Sequence, residues 1–252
     1  MNWQVAVESI KSHVFKIESP SGHGTGFLCF LNDSREVIGI ATARHVITEA
    51  NKWQQPIRVS NYELEYTRLL TVTDRVILDD SSRDSAVLLF QPLEFGFPEP
   101  LIPLIPADKL LKVGVEVGWV GFPAVEPNTL CFFSGNISAR ITDDNAYLID
   151  GVAINGVSGG PVLHFRGDET RIVGLITAYI ANRATGETLP GLSVAQGVSH
   201  IHNVISNLKS IDEAAEKKKQ LEEEIQQKPP APVDPQLQLP DIPAESSRST
   251  NT

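Results

Sequence analysis

From Val14 onward the chain is written in short apolar runs separated by clusters of Gly, Asn, Asp, Ser and Pro. Runs of this length, bounded by turn formers, predict strands over 13–18, 25–31, 36–41, 56–59, 65–71, 75–78 and 85–90. A second set is predicted over 116–121, 129–140, 146–149, 161–165, 171–179 and 192–198. Between them, Pro98, Pro100, Pro103 and Pro106 make 91–108 a connector. Regularly punctuated strands point to an all-β sandwich or barrel rather than alternating βα units. Ahead of the first strand, Val5, Val7 and Ile10 predict a short helix over 2–11 that packs on the β domain.

The pattern changes near His200. Ile201, Val204, Ile205, Leu208 and Ile211 recur at three and four residues, which predicts a helix starting at Ser199 or His200. Its first half is amphipathic enough to pack on the β domain. From Glu213 to Gln227 charged and polar residues dominate, and Ala214, Ala215, Leu221 and Ile225 leave only a thin apolar stripe. Lys218 and Glu222 interrupt any heptad seam, so a solvated extension is expected ahead of a coiled coil. Beyond Lys228, six prolines and a Ser/Thr-rich end predict a disordered tail. The expected organisation is a domain over 1–212, a charged helical extension over 213–227 and a Pro-rich tail over 228–252.

Composition narrows the function classes. A hydrophobic content of 41% over 252 residues suffices for a real core. The formal net charge of −10 argues against nucleic acid as a partner through a basic surface. The first 30 residues lack a positively charged start followed by an uninterrupted apolar stretch, so no signal peptide is expected. No run approaches the ~20 apolar residues that span a bilayer, and no membrane association is expected. Cys29 and Cys131 lie in apolar strand-like runs without metal-ligand spacing, and read as small hydrophobes rather than a disulfide or redox pair. His200 and His202 are two apart and point to different faces of a helix, so a metal site is not expected. The expected compartment is the cytoplasm, with no cofactor.

Three stretches carry candidate chemistry. Asn155-Gly156-Val157-Ser158-Gly159-Gly160-Pro161-Val162 places a serine among glycines between apolar runs. Alone, this reads as a Gly-rich turn whose serine satisfies the backbone. A serine hydroxyl becomes a nucleophile only when a base takes its proton and N–H donors hold the resulting oxyanion. Gly156 and Ser158 are placed to aim two such N–H groups at one point. Upstream, Thr42-Ala43-Arg44-His45-Val46 ends an apolar run with an imidazole, and Asp84-Ser85-Ala86-Val87-Leu88 opens a strand with a carboxylate. Asp79 and Asp80 compete for the acid's role; Asp84 is preferred because the apolar run that follows it anchors it beside the core. The order His45, Asp84, Ser158 is one of three arrangements known for Ser-His-Asp enzymes.

Thr-Ala-x-His-Val, Asp-x-Ala-Val-Leu and Gly-x-Ser-Gly-Gly-Pro together resemble the chymotrypsin-like serine peptidases, especially their Deg/HtrA-type branch. Gly24-Thr25-Gly26-Phe27, Trp119-Val120-Gly121-Phe122-Pro123 and Ser134-Gly135-Asn136-Ile137-Ser138 support the likeness, which covers roughly residues 5–208. The resemblance implies two six-stranded antiparallel barrels with the triad in the cleft between them. It implies a serine endopeptidase acting on protein or peptide substrates. On the same resemblance His45 is expected to serve as base, Asp84 to orient it, Ser158 to attack, and Gly156 and Ser158 to supply the oxyanion hole. Val152, six before the serine, stands where trypsin carries the acid that binds Arg or Lys, so small or aliphatic side chains are expected in the pocket. Ser193-Val194-Ala195 resembles the strand that pairs with substrate and walls the pocket. Val157 replaces the aspartate that trypsins pair with a new N-terminus, so activation by that route is not expected. No PDZ domain of the kind common in Deg-type enzymes is expected. A silent or partner-activated protease fold is the alternative, with the C-terminal helix and tail as the element for partner docking or self-association.

Overall fold

A computed structural model describes residues 2–93, 96–167, 169–181 and 188–227. Met1–Asp212 forms one compact unit and the chain from Glu213 a second. In the first unit a short helix α1 (Trp3–Ile10) precedes thirteen strands among the described residues. The Asn2 side chain caps α1 by accepting the Val5 N–H at 3.0 Å, while Ala6 and Ile10 are buried. Trp3 packs on Phe132 and Phe165 and donates its indole N–H to Glu116 at 2.8 Å.

The first seven strands are β1 (Val14–Ser19), β2 (Gly22–Leu31), β3 (Ile38–Ala43), β4 (Ile57–Asn61), β5 (Tyr66–Leu70), β6 (Arg75–Asp80) and β7 (Ser85–Phe90). They form one antiparallel sheet in the order β5-β4-β1-β2-β3-β7-β6. The second set is β8 (Glu116–Gly121), β9 (Cys131–Ile141), β10 (Ala146–Asp150), β11 (Pro161–Arg166), β12 (Glu169–Ala181) and β13 (Thr188–Gly197). These close into a six-stranded barrel, β10-β13-β12-β11-β8-β9. The fold is chymotrypsin-like, and each predicted strand has a counterpart within a few residues.

The first half departs from the expected six-stranded barrel. It is a seven-stranded half-barrel whose end strands, β5 and β6, are joined by a turn over Val72–Asp74 instead of a ladder. Thr71 and Asp74 close that turn as a capping box. The Arg75 guanidinium, buried at 7% exposure, then donates to the carbonyls of Leu70 (2.9 Å), Gln55 (2.7 Å) and Ala50 (3.3 Å). One fixed fork thus satisfies three carbonyls at the end of the sheet.

A helix that the strand pattern did not predict, α2 (Arg44–Lys52), follows β3 directly. It buries Ile47 and Ala50, three apart on one face. Its β-branched Val46, Ile47 and Thr48 are weak helix formers, so the surroundings decide its conformation. One apolar cluster fills the half-barrel around Phe15, Ile17, Leu28, Ile40, Ile57 and Leu88. A larger one, with Phe27, Val87, Trp119, Phe122, Val157 and Leu175, runs from the half-barrel into the closed barrel. It makes the floor of the cleft between them a continuous packed core.

The connector contributes a parallel bridge, Leu104 to Ile172, with Ile105 N–H donating to the Ile172 carbonyl at 2.8 Å. A third helix, α3, runs over Ser199–Gln227; Ile201 and Val204 are buried, and His202 Nε2 donates to the Ile105 carbonyl at 2.7 Å. In the second unit the helix is largely exposed and carries a Lys218–Glu222 pair at 3.8 Å. The tail expected over 228–252 lies outside the described residues.

Candidate active site

The strand-to-helix junction at Ala43–Arg44 puts His45 in the first turn of α2. Asp84 sits where the β6–β7 connection enters β7, in a left-handed conformation with φ 46°. Such a φ is uncommon for a residue with a Cβ and is held here by three hydrogen bonds. The Asp84 carbonyl accepts the Arg44 N–H at 3.0 Å. Its Oδ1 accepts the His45 backbone N–H at 2.9 Å, and its Oδ2 lies 2.7 Å from His45 Nδ1. An ionised carboxylate only accepts, so Nδ1 carries the proton and Nε2 presents a lone pair. The competing acids are committed elsewhere. Asp79 pairs with Arg44. Asp80 accepts from Ser82 and, at 2.7 Å, from Arg83. Hydrogen bonds from Ser82, then Arg83, lower the Asp80 carboxyl to about 2.

The serine loop is two reverse turns in succession. Val157 N–H donates to the Ile154 carbonyl at 3.1 Å, and Gly160 N–H to the Val157 carbonyl at 2.8 Å. In each turn the third residue is a glycine at positive φ, Gly156 at 91° and Gly159 at 86°, while the second is not, the type II pattern. Space demands glycine as well. A Cβ on Gly156 would lie 2.3 Å from the Phe122 carbonyl oxygen, and one on Gly159 2.0 Å from that of Thr25. Val157 is fully buried and packs against Gly121, so an apolar contact seats the loop where trypsins use an ion pair. Among the described residues, the N–H groups of Val157, Gly159 and Gly160 have backbone acceptors, and those of Gly156 and Ser158 have none.

His45 and Ser158 line one cleft of about 270 Å³ with Ala153, Ile154, Asn155, Ile176, Thr177 and Ala178. Among the described residues, no hydrogen bond joins the Ser158 hydroxyl to His45. The structure thus brings His45, Asp84, Gly156 and Ser158 together. It places the expected pocket residues differently. Val152 is 48% exposed, and its neighbour Ala153 faces the cleft. Ser193 is fully buried and donates to the Gly151 carbonyl at 2.6 Å. Val194 and Ala195 lie on β13, between β10 and β12. The cleft wall is instead β12 at Ile176–Ala178. Gly159 N–H donates to the Ile176 carbonyl at 2.6 Å, and Ile176 N–H to the Gly160 carbonyl at 2.9 Å. Barrel closure thus puts β13 one strand behind the wall. The missed signal was the second apolar strand after the serine loop, β12, which its antiparallel pairing with β11 returns to that loop.

The profile of the trypsin-like peptidase domain matches residues 24–175, which hold all three candidate catalytic side chains. The chain belongs to the trypsin-like peptidase family. It is accordingly a serine-type peptidase, a hydrolase with protein substrates. Solved structures agree on the fold. The inactive form of the Rv3671c protease, from M. tuberculosis H37Rv, matches at TM-score 0.57 and 19% identity, over 80% of this chain and 91% of that one. A serine endoprotease from Yersinia pestis matches at TM-score 0.58 and 21% identity, over 82% of this chain and 66% of that one. No match was found among curated proteins.

Proposed function

We propose that this trypsin-like peptidase is an endopeptidase working through His45, Asp84 and Ser158 and an acyl-enzyme intermediate. The 2.7 Å contact between His45 Nδ1 and Asp84 Oδ2, in a cleft shared with Ser158, carries the reading. Substrate entering that cleft brings its carbonyl carbon to the Ser158 hydroxyl. His45 Nε2 takes the hydroxyl proton as the C–O bond forms, and Asp84 stabilises the imidazolium. The carbonyl oxygen, now negative, is met by the free N–H groups of Gly156 and Ser158. His45 returns the proton to the leaving amine, and water repeats the sequence on the ester.

Ala153, Ile154, Ile176 and Ala178 line the cleft, with no acid among its described lining residues, which supports small or aliphatic side chains at the cut site. Gly151, two residues before Ala153, rests on the Trp119 ring, where a Cβ would lie 2.3 Å from it. Sequencing of cleavage products tests this, and dominant cuts after Arg or Lys would refute it. Two free cysteines, Cys29 and Cys131, support a reducing compartment such as the cytoplasm.

Fluorophosphonate labelling of wild type beside Ser158→Ala and His45→Ala tests the assignment. Labelling lost in both variants is expected. A folded wild type that does not label would favour the partner-activated reading, whose support is the missing bond between the Ser158 hydroxyl and His45. Deleting residues 213–252 then separates a regulatory helix and tail from a passive one, since unchanged activity and oligomeric state would remove that segment from the mechanism.

A further inference from the structure

Thr25 lies on β2 of the half-barrel and is fully buried, yet outside the β1–β2 ladder its hydrogen bonds reach Gly156, Phe122 and Ser158 on the closed-barrel side of the cleft as well as Thr42 on β3. Its backbone N–H donates to the Ser158 carbonyl at 2.8 Å. Its hydroxyl accepts the Phe122 N–H at 3.0 Å, so the hydroxyl proton is free to go to the Gly156 carbonyl, 2.8 Å away. Its own carbonyl accepts the Thr42 hydroxyl at 2.7 Å, which fixes Thr25 to β3.

Peptide planarity turns these bonds into control of the oxyanion hole. In a trans peptide the N–H points opposite the carbonyl, so whatever holds one sets the other. Thr25 holds the carbonyls of the Gly156–Val157 and Ser158–Gly159 peptides. The Ser158 N–H belongs to the peptide between those two. The Gly156 N–H belongs to the peptide just before the first, whose carbonyl, on Asn155, accepts the Ala124 N–H at 2.7 Å. Turning either free N–H out of the cleft requires a neighbouring peptide to rotate against a bond to Thr25 or Ala124.

We infer that Thr25 is a positioning residue for catalysis, whose buried hydroxyl keeps the Gly156 and Ser158 N–H groups aimed at the developing oxyanion from the opposite barrel. It touches no substrate; it acts through the loop. This rests on the acyl-transfer reading given above. The hydroxyl is irreplaceable by shape alone, because valine of the same outline leaves the Phe122 N–H and Gly156 carbonyl unpaired in a dry site. With that restraint gone, the Gly156–Val157 peptide keeps only the 3.1 Å bond from its Val157 N–H to the Ile154 carbonyl, and the donors on either side lose part of their aim.

The test compares wild type with Thr25→Val, Thr25→Ala and Thr25→Ser in the full chain. The readouts are kcat and KM on a peptide ester with an aliphatic cut-site residue, the rate of fluorophosphonate labelling, and the melting temperature. Removing an oxyanion donor outright costs about 10²–10³ in kcat, and a donor that has only lost its anchor should cost about 10–100-fold. That loss is expected in Thr25→Val and Thr25→Ala, in kcat and labelling rate together, with KM nearly unchanged. Thr25→Ser, which keeps the hydroxyl, should recover most of it. Thr25→Ala serves if the valine variant does not fold. An active wild type with unchanged kcat in the folded variants lacking the hydroxyl would overturn the role. So would a serine variant as impaired as the valine one, since packing would then be the cause. A wild type that neither labels nor turns over removes the acyl-transfer reading and this inference together.

Discussion

Gly156→Ala perturbs the serine loop at the point where strain and function meet. Gly156 has φ 91°, and a left-handed backbone costs a residue with a Cβ about 1–2 kcal/mol. The new methyl would lie 2.3 Å from the Phe122 carbonyl oxygen, 2.5 Å from His23 Nε2 and 3.0 Å from Ala124 N. Two of these are backbone atoms, and the His23 ring is held by its own bond to the Phe122 carbonyl at 3.1 Å. Overpacking of this kind adds about 1–3 kcal/mol. If the loop keeps its shape, the variant loses about 2–5 kcal/mol of stability, a melting-temperature drop of about 4–20 °C for a domain of this size. If the loop moves to relieve the contacts, the Gly156 N–H leaves its place and kcat falls by about 10²–10³ instead. Calorimetry and fluorophosphonate labelling, read together, follow both losses. A variant that melts with wild type and also labels at the wild-type rate would refute the reasoning, because no conformation of the loop satisfies both.

Asp84→Asn should lower kcat by roughly 10³–10⁴ with little change in melting temperature. The amide oxygen can still accept the His45 N–H, but an NH₂ facing the ring drives the imidazole proton to Nε2; a pre-steady-state burst of wild-type size would contradict this. Arg75→Lys should destabilise by about 2–4 kcal/mol, because an ammonium cannot serve carbonyls of Leu70, Gln55 and Ala50 at once. Urea denaturation measures it, and activity of the folded fraction should be retained. Burial lowers the pKa of both His13 and His200, whose neighbours include Asp79, Asp80 and Arg83 in the latter case. A lowered native pKa means the unfolded chain takes up the proton first, so stability should fall as pH drops below about 6.5. The fall in denaturation midpoint between pH 8 and pH 5.5 should shrink in His200→Gln, and an unchanged fall would remove His200 from the effect.

The cleft was legible in unequal parts. His45, Asp84 and Ser158 each carry a local signature, because each stands beside a buried strand and the chemistry demands specific residue types. Glycine at 156 and 159 was legible for the same reason, since positive φ restricts the choice of residue. Thr25 was visible only as part of Gly24-Thr25-Gly26-Phe27, with nothing in the chain saying that its hydroxyl reaches residue 156. The pocket wall was read onto Ser193-Val194-Ala195, although Ile176–Ala178 faces the site. Both segments are apolar strands after the serine, and strand spacing alone does not say which is adjacent to the loop.

By itself the sequence determined the strand count, the connector, both terminal helices and the order of the three catalytic candidates. Those features follow from local rules of periodicity, turn chemistry and side-chain reactivity. Tertiary structure decided that the first half stays open as a half-barrel, that Arg44–Lys52 is helical, which strand walls the cleft, and how the serine loop is held. Each of these depends on contacts between residues far apart in the chain. Arg75 with Gln55, Thr25 with Gly156 and Gly159 with Ile176 become neighbours only when two sheets close around one core.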